Sequence, residues 1–136
     1  MIRYLLDASG LWRLFRDADL FAAWQPEIEA GAFLICEATR AELLFSATSP
    51  ADRDELAADL DALCAPAAVP KSAWRWVDTA QYKLTQRGQH RSAGVIDLIV
   101  CATAVHHDLT VLHSDADFAT VSRVLPEVAQ RDIRSG

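Results

Sequence analysis

The segment Val95–His107, VIDLIVCATAVHH, gives a helix no polar face before His106. A helix that is apolar all round belongs in a protein interior, so the fold has to surround this one. Asp97 sits in its first turn, with no basic residue one turn behind at Ala93 or one turn ahead at Cys101. An acid near a helix N-terminus gains only about 0.3–1 kcal/mol from the helix dipole. Burying an unpaired charge costs several times more. Asp97 is therefore the residue hardest to explain by structure alone, and it points to a functional role.

The rest of the chain alternates short apolar runs with helical patterns. Strands are expected at Ile2–Leu6, Ala32–Cys36, Ala67–Val69, Leu109–His113 and Val128–Ile133. Helices are expected over Ala8–Arg16, capped by Ser9; over Asp19–Ala30, kinked at Pro26 and ended by Gly31; and from Ser49 to Cys64. Further helices cover Ser72–Arg87, the Asp97 segment, and Asp115 to about Arg123. Thr39-Arg40-Ala41-Glu42 matches a capping box. This order predicts a single α/β domain spanning residues 1–136, with a mainly parallel central sheet flanked by helices. In such sheets the ligand crevice lies beyond the carboxyl ends of the strands.

Two more acids, Asp7 and Asp115, fall just past expected strand ends, and Glu42 lies in a helical pattern. Each has a plain alternative. Asp7 and Asp115 suit helix caps, and Glu42 suits the capping box. Converging, the four would repel one another, and a divalent cation resolves that conflict. Asp117 is a further ligand, a ligand through water, or an N-terminal helix charge. Ser9 and Ser114 are placed to orient carboxylates or ligand water, or are ordinary turn residues. All-oxygen donors select hard cations such as Mg2+ or Mn2+. Such a site suits hydrolysis of a phosphodiester. Arg87, His90 and Arg91 precede the Asp97 helix and are candidates to hold substrate phosphates, or else form a solvated loop. His113 reads as a surface residue at a strand end, or else as one facing the crevice, and His106 and His107 as a frayed helix end. The tryptophans read as core or oligomer interface.

Composition narrows the class. The chain has 136 residues, 51% of them hydrophobic, enough for one real core. Its net charge of −6 argues against a generally basic, nucleic-acid-coating surface. No apolar run approaches a membrane span. The N-terminal run is too short for a signal core and is broken by Asp7, so a cytoplasmic protein is expected. Cys36, Cys64 and Cys101 show no CxxC spacing and read as reduced thiols.

Asp7 after the first strand, Glu42 in TRAELL, Asp97 in DLIVCATA and Asp115 in HSDADF together resemble the PIN domain, and within it the VapC ribonuclease toxins of bacterial toxin–antitoxin pairs. The resemblance covers essentially the whole chain. It implies an acidic magnesium site at Asp7, Glu42, Asp97 and Asp115, with Asp117 at a position that is often acidic. It implies an RNA substrate, commonly structured RNA such as tRNA. It also implies a homodimer, and a cognate antitoxin that blocks the site. Two other readings stand beside it: a non-catalytic PIN-like module that binds a protein, and a DNA-directed nuclease. A haloacid-dehalogenase-type phosphohydrolase needs Asp-x-Asp after the first strand, where this chain has Asp7-Ala8-Ser9. A receiver-type domain needs a late lysine, and the only lysines are Lys71 and Lys83.

Overall fold

Five short strands carry the fold: β1 (Tyr4–Leu6), β2 (Phe33–Ile35), β3 (Ala65–Pro66), β4 (Thr110–His113) and β5 (Gln130–Asp132). They form one sheet in the order β3-β2-β1-β4-β5, and every pairing is parallel. The computed structural model describes residues 1–135. Parallel neighbours need crossover connections, and helices supply them. These are α1 (Ala8–Arg16), α2 (Ala18–Ala23), α3 (Gln25–Glu29), α4 (Glu37–Phe45), α5 (Pro50–Leu63), α6 (Ala73–Gln86), α7 (Val95–His107) and α8 (Asp117–Val124).

The two faces of the sheet bury separate cores. Leu5, Leu34 and Val111 point to one side, with Val77, Leu84, Ile99, Val100, Cys101 and Phe118 from α6, α7 and α8. Tyr4, Leu6, Phe33, Ile35 and Leu112 point to the other, with Leu11, Leu14, Leu43 and Leu60 from α1, α4 and α5. The strands' period of two thus divides residues between layers. The central strands are buried on both faces, which explains their unbroken apolar runs. In α7, Leu98 through Ala104 are all buried, but the first turn is not enclosed as its composition predicts: Val95 and Ile96 are exposed and Asp97 is half-buried, because this end of the helix opens at the carboxyl edge of the sheet.

Several boundaries differ from expectation. The helix expected over Asp19–Ala30 is two helices. Trp24 separates them, and Pro26 stands in the first turn of α3, where its missing N–H loses no helical hydrogen bond. Trp24 is buried and its indole N–H donates to Ile133 O at 2.9 Å, so the break serves the core. The capping box at Thr39–Glu42 is absent. Helix α4 starts directly from β2, with Cys36 at the cap position and Thr39 buried in its first turn beside the Cys36 sulfur at 3.6 Å. The third strand pairs through Ala65 and Pro66 rather than Ala67–Val69, and its edge position tolerates the proline. His106 and His107 are not frayed: they close α7, and the His107 ring bonds Ala68 O at 2.8 Å. All three cysteines are buried and free.

Candidate active site

The acids lie at the carboxyl edge of the sheet or on helices beside it. Asp7 follows β1, Asp115 follows β4, Glu42 stands on α4 beyond β2, and Asp97 occupies the first turn of α7. Asp7 is only 4% exposed. It is the N-cap of α1, and its carboxylate accepts from Gly10 N at 2.9 Å. Ser9 therefore does not cap this helix. Its hydroxyl donates toward both Asp7 oxygens at 2.9 Å and accepts from Ser114 N at 2.9 Å. One serine thus ties the β1–α1 corner to the exit of β4.

The strongest sign of convergence is electrostatic. The Asp97 carboxyl is pushed up to about 6, first by burial and then by the negative charges of Asp7, Asp115 and Glu42; the Gly94 N–H, at 3.3 Å, pulls the other way. Burial also raises Asp7, against the hydrogen bonds from Gly10 and Ser9. One turn beyond Asp97, the Cys101 thiol is pushed up by burial and by the charges of Asp97 and Asp7. It stays protonated and supplies no nucleophile. Glu42 is exposed on its helix.

His113 is a residue that the sequence reading misplaced. It is 2% exposed, and its ring stacks near Phe118 with 5.0 Å between centroids. Its Nδ1 accepts from Asp115 N at 3.0 Å, so Nε2 carries the proton and donates to Gln130 Oε1 at 2.6 Å. The neutral ring therefore fixes the loop that presents Asp115. The available signal was register: His113 lies two residues from Val111 and so faces the same buried layer. Asp115 in turn accepts from Asp117 N at 2.9 Å, so it joins the turn into α8 as well as facing the other acids. Asp117 is exposed; slight desolvation and the neighbouring Asp115 raise its carboxyl.

Arg87, His90 and Arg91 are exposed, and the structure shows no hydrogen bond or ion pair from them to the acids among the described residues. Arg87 lines a separate groove of about 290 Å³ with Gln89, Thr120 and Arg123. A larger cleft of about 650 Å³ is lined by Ser9, Ser114, Trp12, Arg13, Arg16, Asp17 and Asp19; it meets the acids through Ser9, which hydrogen-bonds Asp7. The sequence reading overlooked Arg13 and Arg16. Their signal was helical spacing, since residues 9, 12, 13 and 16 share one face of a helix.

As placed, no three His, Cys, Asp or Glu side chains among the described residues stand close enough together to hold a metal ion. The donor chemistry nevertheless fits a hard cation. The acids are carboxylates only, Asp7 is buried and held by fixed donors, and Asp97 carries an unneutralised electrostatic burden from three others. Ser9→Ala tests the bracing of Asp7. Groups that orient metal-binding side chains commonly contribute about 10–100-fold to affinity or activity. A Mg2+ titration should show weaker binding in that range, and unchanged binding would make Ser9 a turn residue.

The sequence profile of the PIN domain matches residues 4–124. Ribonuclease VapC6 of Mycobacterium tuberculosis (strain H37Rv) is 38% identical over 100 residues, covering 74% of this chain and 79% of its own length. Ribonuclease VapC21 of the same strain is 33% identical over 122 residues, covering 90% of this chain and 88% of its own. Among solved structures, VapBC2 from Rickettsia felis bound to a promoter DNA fragment superposes with a TM-score of 0.79, covering 97% of this chain and 98% of that one at 13% identity. At that identity the likeness shows a shared fold. No helix among the described residues is long and apolar enough to cross a membrane. The profile match runs from β1 through α8 and takes in all the acids described above: the chain belongs to the PIN-domain family, among the VapC proteins.

Proposed function

We propose that this chain, as one PIN domain, is a metal-dependent endoribonuclease toxin that hydrolyses RNA phosphodiester bonds, in structured RNA such as tRNA, and is held inactive by a cognate antitoxin. The observation that carries the reading is the placement of Asp7, Glu42, Asp97 and Asp115, from four separate elements, toward the carboxyl edge of one sheet, near enough for the other three to raise the Asp97 carboxyl. Asp7, Asp97 and Asp115 each serve a local cap or turn, but those roles do not call for the acids to gather, and their mutual repulsion costs stability. Relatives named as ribonucleases favour RNA over DNA.

In this reading Asp7, Glu42, Asp97 and Asp115 would hold Mg2+, or Mn2+ in its place, with Asp117 beside them as a further ligand, a ligand through water, or an N-terminal helix charge. The ion, when bound, supplies an activated water and stabilises charge on the phosphoryl oxygens. The chain's own residues fix the donors. Ser9 and the Gly10 N–H aim Asp7, the Gly94 N–H aims Asp97, and His113 fixes the Asp115 loop. Arg87, His90 and Arg91 remain candidates for outlying phosphates. The VapBC complexes among the structural neighbours support an antitoxin partner. Exposed Phe45, Trp74 and Tyr82 are large apolar side chains available to an antitoxin or a second copy in a homodimer.

The test is incubation of purified, antitoxin-free protein with total cellular RNA, with Mg2+ and with chelator. Discrete fragments that require the ion are expected, and their ends name the target. Intact RNA with cleaved DNA would favour the DNA-directed reading. Neither cut by folded protein would favour a binding module.

A further inference from the structure

We propose that the cleft along α1 carries the RNA backbone on one side of the scissile phosphate, with Arg13 and Arg16 contacting successive phosphates and Trp12 holding Arg16 in place. The inference deepens the ribonuclease reading and rests on it. Three observations support it.

The first is continuity. Ser9 and Ser114 line the cleft, and the same Ser9 hydroxyl hydrogen-bonds Asp7. A strand with a phosphate at the acids therefore passes directly into the cleft. Ser9 to Arg16 spans about 10 Å along the helix axis at ~1.5 Å per residue, so the two arginines stand where neighbouring phosphates follow.

The second is charge. The chain is acidic overall, at −6, so a phosphodiester needs locally placed cations to approach four carboxylates. Arg13 and Arg16 are exposed. Asp17 and Asp19 also line the cleft, yet neither arginine lies in a salt bridge with them among the described residues. The Asp17 carboxylate instead caps α2 by accepting from Leu20 N at 3.0 Å. Both guanidinium groups are thus left for an outside anion, and their planar forks match phosphate oxygens.

The third is order. The Arg16 guanidinium lies over the Trp12 ring, 5.7 Å from its centroid, and Trp12 is in turn edge-on to Phe15 at 6.2 Å. A half-buried indole thus restricts an otherwise mobile side chain. Trp12 acts through Arg16 and is a positioning residue.

The experiment measures binding of a labelled single-stranded RNA to the full chain carrying Asp97→Asn, which suppresses cleavage, across a series of salt concentrations. Each lost phosphate contact should reduce the steepness of log K against log salt by about 0.7. Adding Arg13→Ala and Arg16→Ala should reduce it by about 1.4. Trp12→Leu should weaken binding only while Arg16 is present. Asp19→Asn, which removes a repelling charge from the cleft, should tighten binding. Arg75→Ala with Lys83→Ala, in the separate groove beside α6, should leave the slope unchanged. An unchanged slope in the Arg13/Arg16 variant overturns the proposal, and so does an equal loss in the Arg75/Lys83 variant. Loss of binding to an antitoxin with no change in RNA slope also overturns it, because the cleft would then belong to a protein. RNA cleavage by the unsubstituted chain is scored separately. Cleavage with an unchanged slope therefore defeats the cleft alone, whereas no cleavage defeats the ribonuclease reading.

Discussion

Asp97→Asn should reduce RNA cleavage by more than about 100-fold, since even groups that only orient a metal-binding side chain contribute up to about that much. The same substitution should stabilise the protein in chelator. The Asp97 carboxyl is raised to about 6. Relative to an unfolded value near 4, and discounted for solvent screening because Asp97 is only half-buried, that shift corresponds to a penalty on the order of 1–2 kcal/mol at neutral pH. The sign follows from the direction. With the folded-state value raised, the penalty vanishes below pH ~4 and is complete once pH has risen through about 6. Metal-free native protein should therefore become more stable as pH falls from 7 to 5. Asp7, also raised, adds to that trend. The Asn variant should begin more stable at pH 7 and gain less on acidification. Urea unfolding at the two pH values, in chelator, reads both quantities. Lower stability of the variant at pH 7, or a flat profile in the native protein, would mean that the acids do not press on one another. A bound cation should reverse the order, because Asp97 then becomes attractive and protons compete with the ion.

The same want of a partner made Asp97 legible in the sequence as a candidate before the fold was known. Asp97 stood out because its neighbours left it no partner in sequence, and the structure supplies only the Gly94 N–H and three like charges. The apolar runs at Leu5, Leu34 and Val111 announced central parallel strands for a similar reason, being buried on both faces. Less legible were features decided by tertiary partners. Nothing local marks Cys36 as a helix cap; β2 ends there and the chain has to turn. His113 looked like a surface residue because its cover, Gln130, arrives from β5 near the far end of the chain. Arg13 and Arg16 drew no notice within the helix expected over Ala8–Arg16. Their significance depends on Ser9, one and two turns earlier, touching Asp7.

Gly10→Ala should cost about 1–3 kcal/mol of stability and reduce cleavage with it. Gly10 lies inside α1, where alanine is normally favoured by up to about 1 kcal/mol. Local propensity thus predicts stabilisation, and packing predicts the reverse. A Cβ at Gly10 would lie 2.7 Å from the carbonyl oxygen of Leu112 and 3.3 Å from its carbon. Both are backbone atoms of the central strand β4 and cannot swing aside. The helix has to move instead, and its first turn carries the site. The Gly10 N–H donates to Asp7, Asp7 N donates to the same Leu112 oxygen at 3.2 Å, and Ser9 braces the carboxylate. Lifting α1 from β4 therefore loosens Asp7 from three directions. Gly94→Ala is the matched control: nothing lies within 4 Å of its added Cβ, and its loss should stay below about 1 kcal/mol. Denaturant unfolding of the two variants, with cleavage and Mg2+ binding measured alongside, separates the cases. A Gly10→Ala protein as stable and as active as the parent would show that α1 yields freely, and that Asp7 does not depend on its close seat against β4.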